Sequence, residues 1–311
     1  MLPGDNVHVV PTLMKENKLT IETVHQCNCC LGCQTLHPLV SVIDLTETPL
    51  VKRTVTFDFY TVLLREGQVD EFLFGRQPYD YSDASLLFLP PGQSLETEHE
   101  ALFPHKGWLL AFHPDLIVHT PLGTHIGNYT FFSYHRNEAL HLSLREKLKA
   151  EECLSLIREE LRHAIDCHSK KLISRLIELL LDYCSRFYER QFITRDEANK
   201  EIIHRMETVL DEHLRSGGLR NGHLPSPDWC AGLLCLSPQY FTDLLKFETG
   251  KSFQDYLQLK RFDLSKKLLL DRRNTVTEVA ELLGYPNVQY FAGVFKKITG
   301  IAPNEYRFSS N

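Results

Sequence analysis

The stretch SPQYFTDLLKFETGKSFQDY (residues 237–256) and the later stretch NVQYFAGVFKKITGIAPNEY (residues 287–306) decide the reading of this chain. Gln239, Tyr240, Phe241, Lys246, Thr249, Gly250 and Tyr256 recur as Gln289, Tyr290, Phe291, Lys296, Thr299, Gly300 and Tyr306, each displaced by 50 residues. Seven identities in one register mark an internal repeat. A period of 50 is too long for a helix hairpin and suits a three-helix unit with its connection, while two copies are too few for a solenoid.

Each copy contains the parts of a helix-turn-helix. In the second, Thr275 and Glu278 have capping-box spacing, and Val276, Val279, Ala280 and Leu283 give a short amphipathic helix. Gly284 supplies the left-handed residue that stops it, and Tyr285-Pro286-Asn287 makes the turn. A second helix is predicted over 288–299, with Phe291, Val294, Phe295 and Ile298 inward and Gln289, Ala292, Gly293 and Lys296 outward. In the first copy, Ser226-Pro227 and Ser237-Pro238 each place a capping serine before a proline at the first helical position. Phe241, Leu244 and Leu245 then form the buried face and Gln239, Thr242, Asp243 and Lys246 the outer one. Between the copies, 253–270 reads as a long helix with Tyr256, Leu257, Leu264, Leu268 and Leu269 apolar. A helix fits the major groove, so two such helices about one duplex turn apart could read successive grooves. A helical protein-interaction module with the same repeat is the alternative at this point.

These residues resemble the AraC/XylS family of transcription regulators. The resemblance covers about 224–308 and rests on Ser237 to Gly250, Arg261, Ala280 to Gly284, Gln289-Tyr290-Phe291, Phe295-Lys296-Lys297, Gly300, Pro303 and Tyr306-Arg307, in the order and spacing of the family pattern. It implies two helix-turn-helix units on asymmetric double-stranded DNA, often beside a cupin-like domain that binds a small effector and helices that dimerise. Carried over position by position, the base-contact candidates are Gln239, Thr242, Asp243, Val288, Gln289, Ala292 and Gly293, and the phosphate-contact candidates are Lys246, Lys296 and Lys297. Two positions depart from the pattern: Gly293 stands where the family commonly has arginine, and Asp243 replaces a basic residue.

Upstream, short β-rich runs broken by turn signals occupy LVSVIDL (39–45), TVTFDFYTVLL (54–64), LLFLPPGQ (86–93) and WLLAFHP (108–114), which suggests a small sandwich or barrel. Phe57, Phe59 and Thr61 alternate with Asp58, Tyr60 and Val62 as in one strand. Ser143 and Glu146 then open a helix whose stripe is Leu154, Ile157, Leu161 and Ala164, followed by a second apolar helix from about Leu172 to Phe187. The fold class expected is α+β. A cupin-like sensing and dimerisation domain fills 1–195, with its helix pair at about 144–190, and an all-α DNA-binding domain fills 200–311, the polar run 195–200 marking the boundary.

Bulk properties narrow the functions. The 311 residues are 43% hydrophobic and 24% charged, with no apolar run long enough to span a bilayer and no secretory signal at 1–11, so a cytoplasmic protein is expected. The net charge of −6 is uneven: residues 201–311 hold 14 Lys/Arg against 13 Asp/Glu, which permits DNA binding without making a basic footprint. Nine cysteines in a chain this size read as reduced thiols, Cys27, Cys29, Cys30 and Cys33 included, although four thiolates could in principle bind zinc or meet oxidants. No His-x-His occurs, and the remaining cluster of His99 and His105 beside Glu98 and Glu100 reads as a solvated acidic loop. Trp108, Phe57, Phe59, Tyr60 and Phe88 are candidates to line an effector pocket but read first as core. The expectation is a non-enzymatic, one-component regulator with no cofactor, catalytic group, metal or membrane. Its partners are double-stranded DNA, a second copy through the helix pair and a small effector, with RNA polymerase a further candidate. The alternatives are an effector-independent dimeric regulator and a cupin-type metalloenzyme with a fused helical module.

Overall fold

A computed structural model describes residues 18–46, 54–66, 76–77, 80–96, 106–220 and 224–309. The chain divides into two compact units, Met1–Thr194 and Arg195–Asn311.

In the first unit the elements run β1 (Lys18–Ile21), α1 (Val24–Cys30), β2 (Val40–Asp44), β3 (Thr54–Phe57), β4 (Tyr60–Glu66), β5 (Ala84–Leu89), β6 (Ser94–Glu96), β7 (Gly107–Phe112), α2 (Pro114–Ile117), α3 (Pro121–His125), β8 (Leu140–Leu142), α4 (Leu144–Glu160) and α5 (Ser169–Thr194). Two sheets form, one of three strands in the order β1-β3-β6 and one of five in the order β2-β7-β4-β5-β8. Leu19, Ile21, Val55, Phe57 and Leu95 from the small sheet meet Ile43, Leu63, Leu87, Leu89, Leu109 and Ala111 from the large one in a single buried core. The alternate residues of the large sheet are buried too: Phe88 lies against Phe131, Phe132 and Tyr188, the last on α5. Burial on both faces is why LLFL and WLLAF read as unbroken apolar runs.

The single strand expected over 54–64 is two strands. β3 pairs with β1 and β6, whereas β4 pairs with β5 and β7 in the other sheet. The chain turns at Asp58-Phe59, so Phe57 and Phe59 both enter the sandwich core. The proposed pocket aromatics are likewise packing groups: Tyr60 stacks on Phe112 at 5.0 Å, and Trp108 lies under the Arg158 guanidinium at 4.6 Å. His99 and His105 lie outside the described residues.

Ser143 caps α4 as its spacing predicts, with the Ser143 amide donating to Glu146 Oε2 at 2.9 Å. Arg190 on α5 holds that carboxylate from the other side, through Nε at 3.0 Å and Nη2 at 2.8 Å, so the cap also fastens the helix pair. The stripe ends sooner than expected: α4 stops at Glu160, and Ala164 is exposed in the connection.

The second unit is all helical, with α6 (Asp196–Arg215), α7 (Pro227–Leu234), α8 (Pro238–Thr249), α9 (Phe253–Leu270), α10 (Val276–Leu282), α11 (Val288–Thr299) and α12 (Pro303–Ser309). The polar run 195–200 is no linker beyond Arg195, because it forms the first turn of α6. Met206, Leu210 and Leu214 on that helix are too sparse to announce it, yet they bury against Cys230, Ala231, Leu234, Phe241 and Leu245. The first half of α9 joins this core through Phe253, Tyr256 and Leu257. The second half joins another, built from Leu269, Val279, Ala280, Leu283, Phe291 and Phe295. A helix therefore precedes each helix-turn-helix, α6 for the first and α9 for the second.

Candidate nucleic-acid interface

Both helix-turn-helix units are set by their caps. Ser226 accepts from the Trp229 amide and Ser237 from the Tyr240 amide, fixing the starts of α7 and α8. Thr275 and Glu278 close a reciprocal capping box on α10, and Asn287 accepts from the Tyr290 amide at 2.7 Å to start α11. These side chains occupy backbone donors that a helix start leaves free. α10 ends at Gly284, whose φ of +67° and position 2.6 Å from the Leu219 carbonyl oxygen, measured from where a Cβ would stand, exclude any side chain.

α8 presents Gln239, Thr242 and Asp243 half-buried and Lys246 exposed. Its outer face is internally bonded: Gln239 Nε2 donates to Asp243 Oδ1 at 3.3 Å, and the Thr242 hydroxyl donates to the Gln239 carbonyl at 2.9 Å. α11 presents Gln289, Gly293, Lys296 and Lys297 exposed, with Val288 and Ala292 half-buried. No heavy atom lies within 4 Å of a Cβ built on Gly293, so nothing in the packing demands glycine there. The structure thus places the candidates as two separate outer faces, one on each second helix, and the helix between them has 18 residues. At 1.5 Å per residue α9 spans about 27 Å, comparable to the ~34 Å of one duplex turn.

One sequence assignment on α11 fails. Ile298 is 56% exposed, because the inner stripe of α11 runs past the surface that Phe262 and Tyr306 offer to Phe295. With Tyr290 and Lys297 it borders a cleft of about 1630 Å³ beside Leu259 and Lys266 of α9. Of the candidate contacts only Lys297 borders that cleft, and none of the base-contact candidates lines it.

Two arginines matter more to the site than the sequence reading assigned. Arg261 is 3% exposed and donates through Nε at 3.0 Å and Nη2 at 2.7 Å to the Leu283 carbonyl at the end of α10. Its guanidinium lies 4.2 Å from the Tyr285 ring centroid, and burial pulls its pKa below the ordinary arginine value. Arg261 therefore fixes the turn that aims α11, and the signal for it was a charge placed in line with Leu257, Leu264 and Leu268. Arg307 on α12 similarly donates to the Leu269 and Asn274 carbonyls, at 3.0 and 2.6 Å. On the other side Glu207 of α6 accepts from Tyr256 and pairs with Lys260 at 2.8 Å, tying α6 to α9. The Lys260 hydrogen bond, followed by that of Tyr256, holds the Glu207 carboxyl below its ordinary range.

A helix-turn-helix domain profile matches residues 230–308, the span of this geometry. The C-terminal unit carries a helix-turn-helix domain of the AraC type. Over 109 residues the chain is 40% identical to the transcriptional regulatory protein YesN of Bacillus subtilis (strain 168), covering 34% of this chain and 28% of that one. Over 124 residues it is 34% identical to the arabinose operon regulatory protein of Escherichia coli (strain K12), covering 38% of this chain and 41% of that one. Among solved structures, the C-terminal domain of AraT, a response regulator from Geobacillus stearothermophilus, is 31% identical, covers 35% of this chain and 84% of that chain, and has a TM-score of 0.30. The match spans less than half of either curated relative. Among the described residues no group of three or more His, Cys, Asp or Glu is arranged to hold a metal ion, and no helix is long and apolar enough to cross a membrane.

Proposed function

We propose that this chain is a sequence-specific DNA-binding transcription regulator that reads two successive major-groove segments with α8 and α11. The observation that carries the reading is the pair of capped helices with polar outer faces, set on either side of an 18-residue helix within one unit. Gln239 and Gln289 stand in the first turn of their helices, where a side chain reaches base edges. Lys246, Lys296 and Lys297 in the last turns supply phosphate contacts. RNA polymerase is the partner that such binding would recruit or exclude.

The N-terminal unit, on this reading, pairs two copies. Leu172, Leu176, Leu179 and Tyr183 repeat at steps of four, three and four along α5, with Leu172 and Leu179 exposed, which is the spacing of a helix-helix seam. Control by a small effector is the first form of this proposal. A second form, in which dimerisation alone sets activity, is favoured by the filled aromatic cluster: the cavity beside Phe88, Phe131 and Tyr188 holds about 10 Å³, no more than a single water needs. A compound that raises the melting temperature of the full chain supports the first form, since a ligand of the native state must stabilise it.

The deciding experiment is selection of bound sequences from random duplex by the full-length protein, beside Gln239→Ala and Gln289→Ala at the same salt. A bipartite motif with half-sites about one turn apart, each half relaxed by one substitution, is the expected result. Binding that is salt-sensitive but yields no motif would sink the proposal.

A further inference from the structure

The thiols of the N-terminal unit are not equivalent. α1 is held by a reciprocal capping box between Thr23 and Gln26, and it turns Cys27 fully into the sandwich core while leaving Cys29 exposed on its outer side. His25 stands one turn before Cys29 on the same face, with Nε2 3.6 Å from Cys29 Sγ. The other ring nitrogen, Nδ1, lies 2.8 Å from the Thr35 hydroxyl. Thr35 Oγ1 accepts from Asn28 Nδ2 at 3.2 Å, and the Asn28 carbonyl oxygen accepts from the Ser41 hydroxyl at 2.7 Å. Asn28 is fully buried and Ser41 belongs to β2, so the imidazole is aimed at Cys29 by a chain of bonds anchored in the sheet.

When Nδ1 donates to Thr35, Nε2 carries the ring's lone pair and can take the thiol proton; when the Thr35 hydroxyl donates to Nδ1, Nε2–H donates to the sulfur. Burial raises the pKa of the neighbouring thiols Cys27, Cys30 and Cys33, keeping them protonated. Thiolate character and exposure together select which cysteine an oxidant meets.

We propose that Cys29 is a hydroperoxide-reactive modification site, with His25 as its base. Cys29 Sγ attacks the terminal oxygen of the hydroperoxide; the S–O bond forms as the O–O bond breaks. His25 passes the proton it took from the thiol to the departing oxygen, which leaves as an alcohol, or as water from hydrogen peroxide. Sulfur is oxidised by two electrons and the peroxide reduced by two, leaving a sulfenic acid. The site stands on the N-terminal unit alone and does not rest on the DNA-reading proposal.

The test is peptide-resolved mass spectrometry of the reduced full-length protein exposed to limiting hydrogen peroxide with dimedone present. Cys167 and Cys235 are internal controls, being exposed thiols with no hydrogen-bonded imidazole among the described residues. With an imidazole placed to take its proton, Cys29 is expected to react on the order of tenfold faster than either control. His25→Gln should bring Cys29 down to the control rate, and Thr35→Val should lower it in part. All three residues lie at or near the surface, and unchanged far-ultraviolet circular dichroism would verify the fold of each variant. Oxidation of Cys29 no faster than Cys167 and Cys235, or unchanged by His25→Gln, overturns the site.

Discussion

Tyr240 and Tyr290 hold the same place in the 50-residue repeat, yet Tyr240 is 2% exposed and Tyr290 58%. Three of the other repeated residues behave alike in both copies. Thr249 and Thr299 each donate a hydroxyl to the carbonyl one turn back, at 2.6 and 2.8 Å. Gly250 and Gly300 each end their helix in the left-handed region, with amides 2.8 Å from the carbonyls of Lys246 and Lys296. Phe241 and Phe291 are both buried. Identity between the copies therefore records how a helix is started, stopped and packed. The outer faces have diverged: Thr242 and Asp243 in one copy stand where Ala292 and Gly293 stand in the other. On the proposed function, the first copy meets DNA with polar groups already bonded to one another, and the second with an open backbone.

The comparison implies two cores that fail separately. Phe241→Ala and Phe291→Ala should each cost about 3–5 kcal/mol, read by chemical denaturation. Hydrogen exchange should show lost protection in α7 and α8 for the first substitution and in α10 to α12 for the second. Loss across both regions from either change would mean that the halves form one cooperative body. Arg261→Met is next in size, about 1–3 kcal/mol, because the buried Leu283 carbonyl loses both donors, and its effect should concentrate in α10 and α11. Gly293→Ala should raise helix stability by about 1 kcal/mol with no steric penalty. Gly293→Arg should strengthen duplex binding and steepen its salt dependence by about 0.9 in log–log slope. An unchanged slope would remove Gly293 from the interface.

The smallest expected effect is in acid. Glu207 has its pKa lowered in the folded state, so its contribution is full above its ordinary value and is lost as pH falls below about 4.5 and through the lowered folded value. Its side chain is 37% exposed, which keeps that contribution small. Glu207→Gln should lower stability slightly at neutral pH and flatten the acid limb of the profile, the two proteins converging in acid.

The C-terminal unit was legible because its signals are local. A capping serine, a proline at the first helical position and a stop glycine act within four residues, and the bounds of α9 and α11 follow from them. The parts missed depend on distant partners. Nothing in TVTFDFYTVLL tells that β3 and β4 serve different sheets, since both pair with residues elsewhere in the chain. The exposure of Ile298 depends on where neighbouring helices end, and α6 was hidden because three apolar residues suffice to dock it. For the candidate interface, helical periodicity gave the outward faces, whereas the bond between Gln239 and Asp243 and the free space at Gly293 needed coordinates.

Gly284 does more than end a helix. Its α-carbon is pressed against Leu219, a core residue of the first helix-turn-helix, while Arg261 on the connecting helix grips the carbonyl beside it. The second half is thus braced at two points rather than swinging on one rod. On the proposed function such a pair acts on DNA as a ruler of fixed length and phase. One base pair inserted between the half-sites turns the second by about 35°, and a braced ruler has no joint with which to follow it.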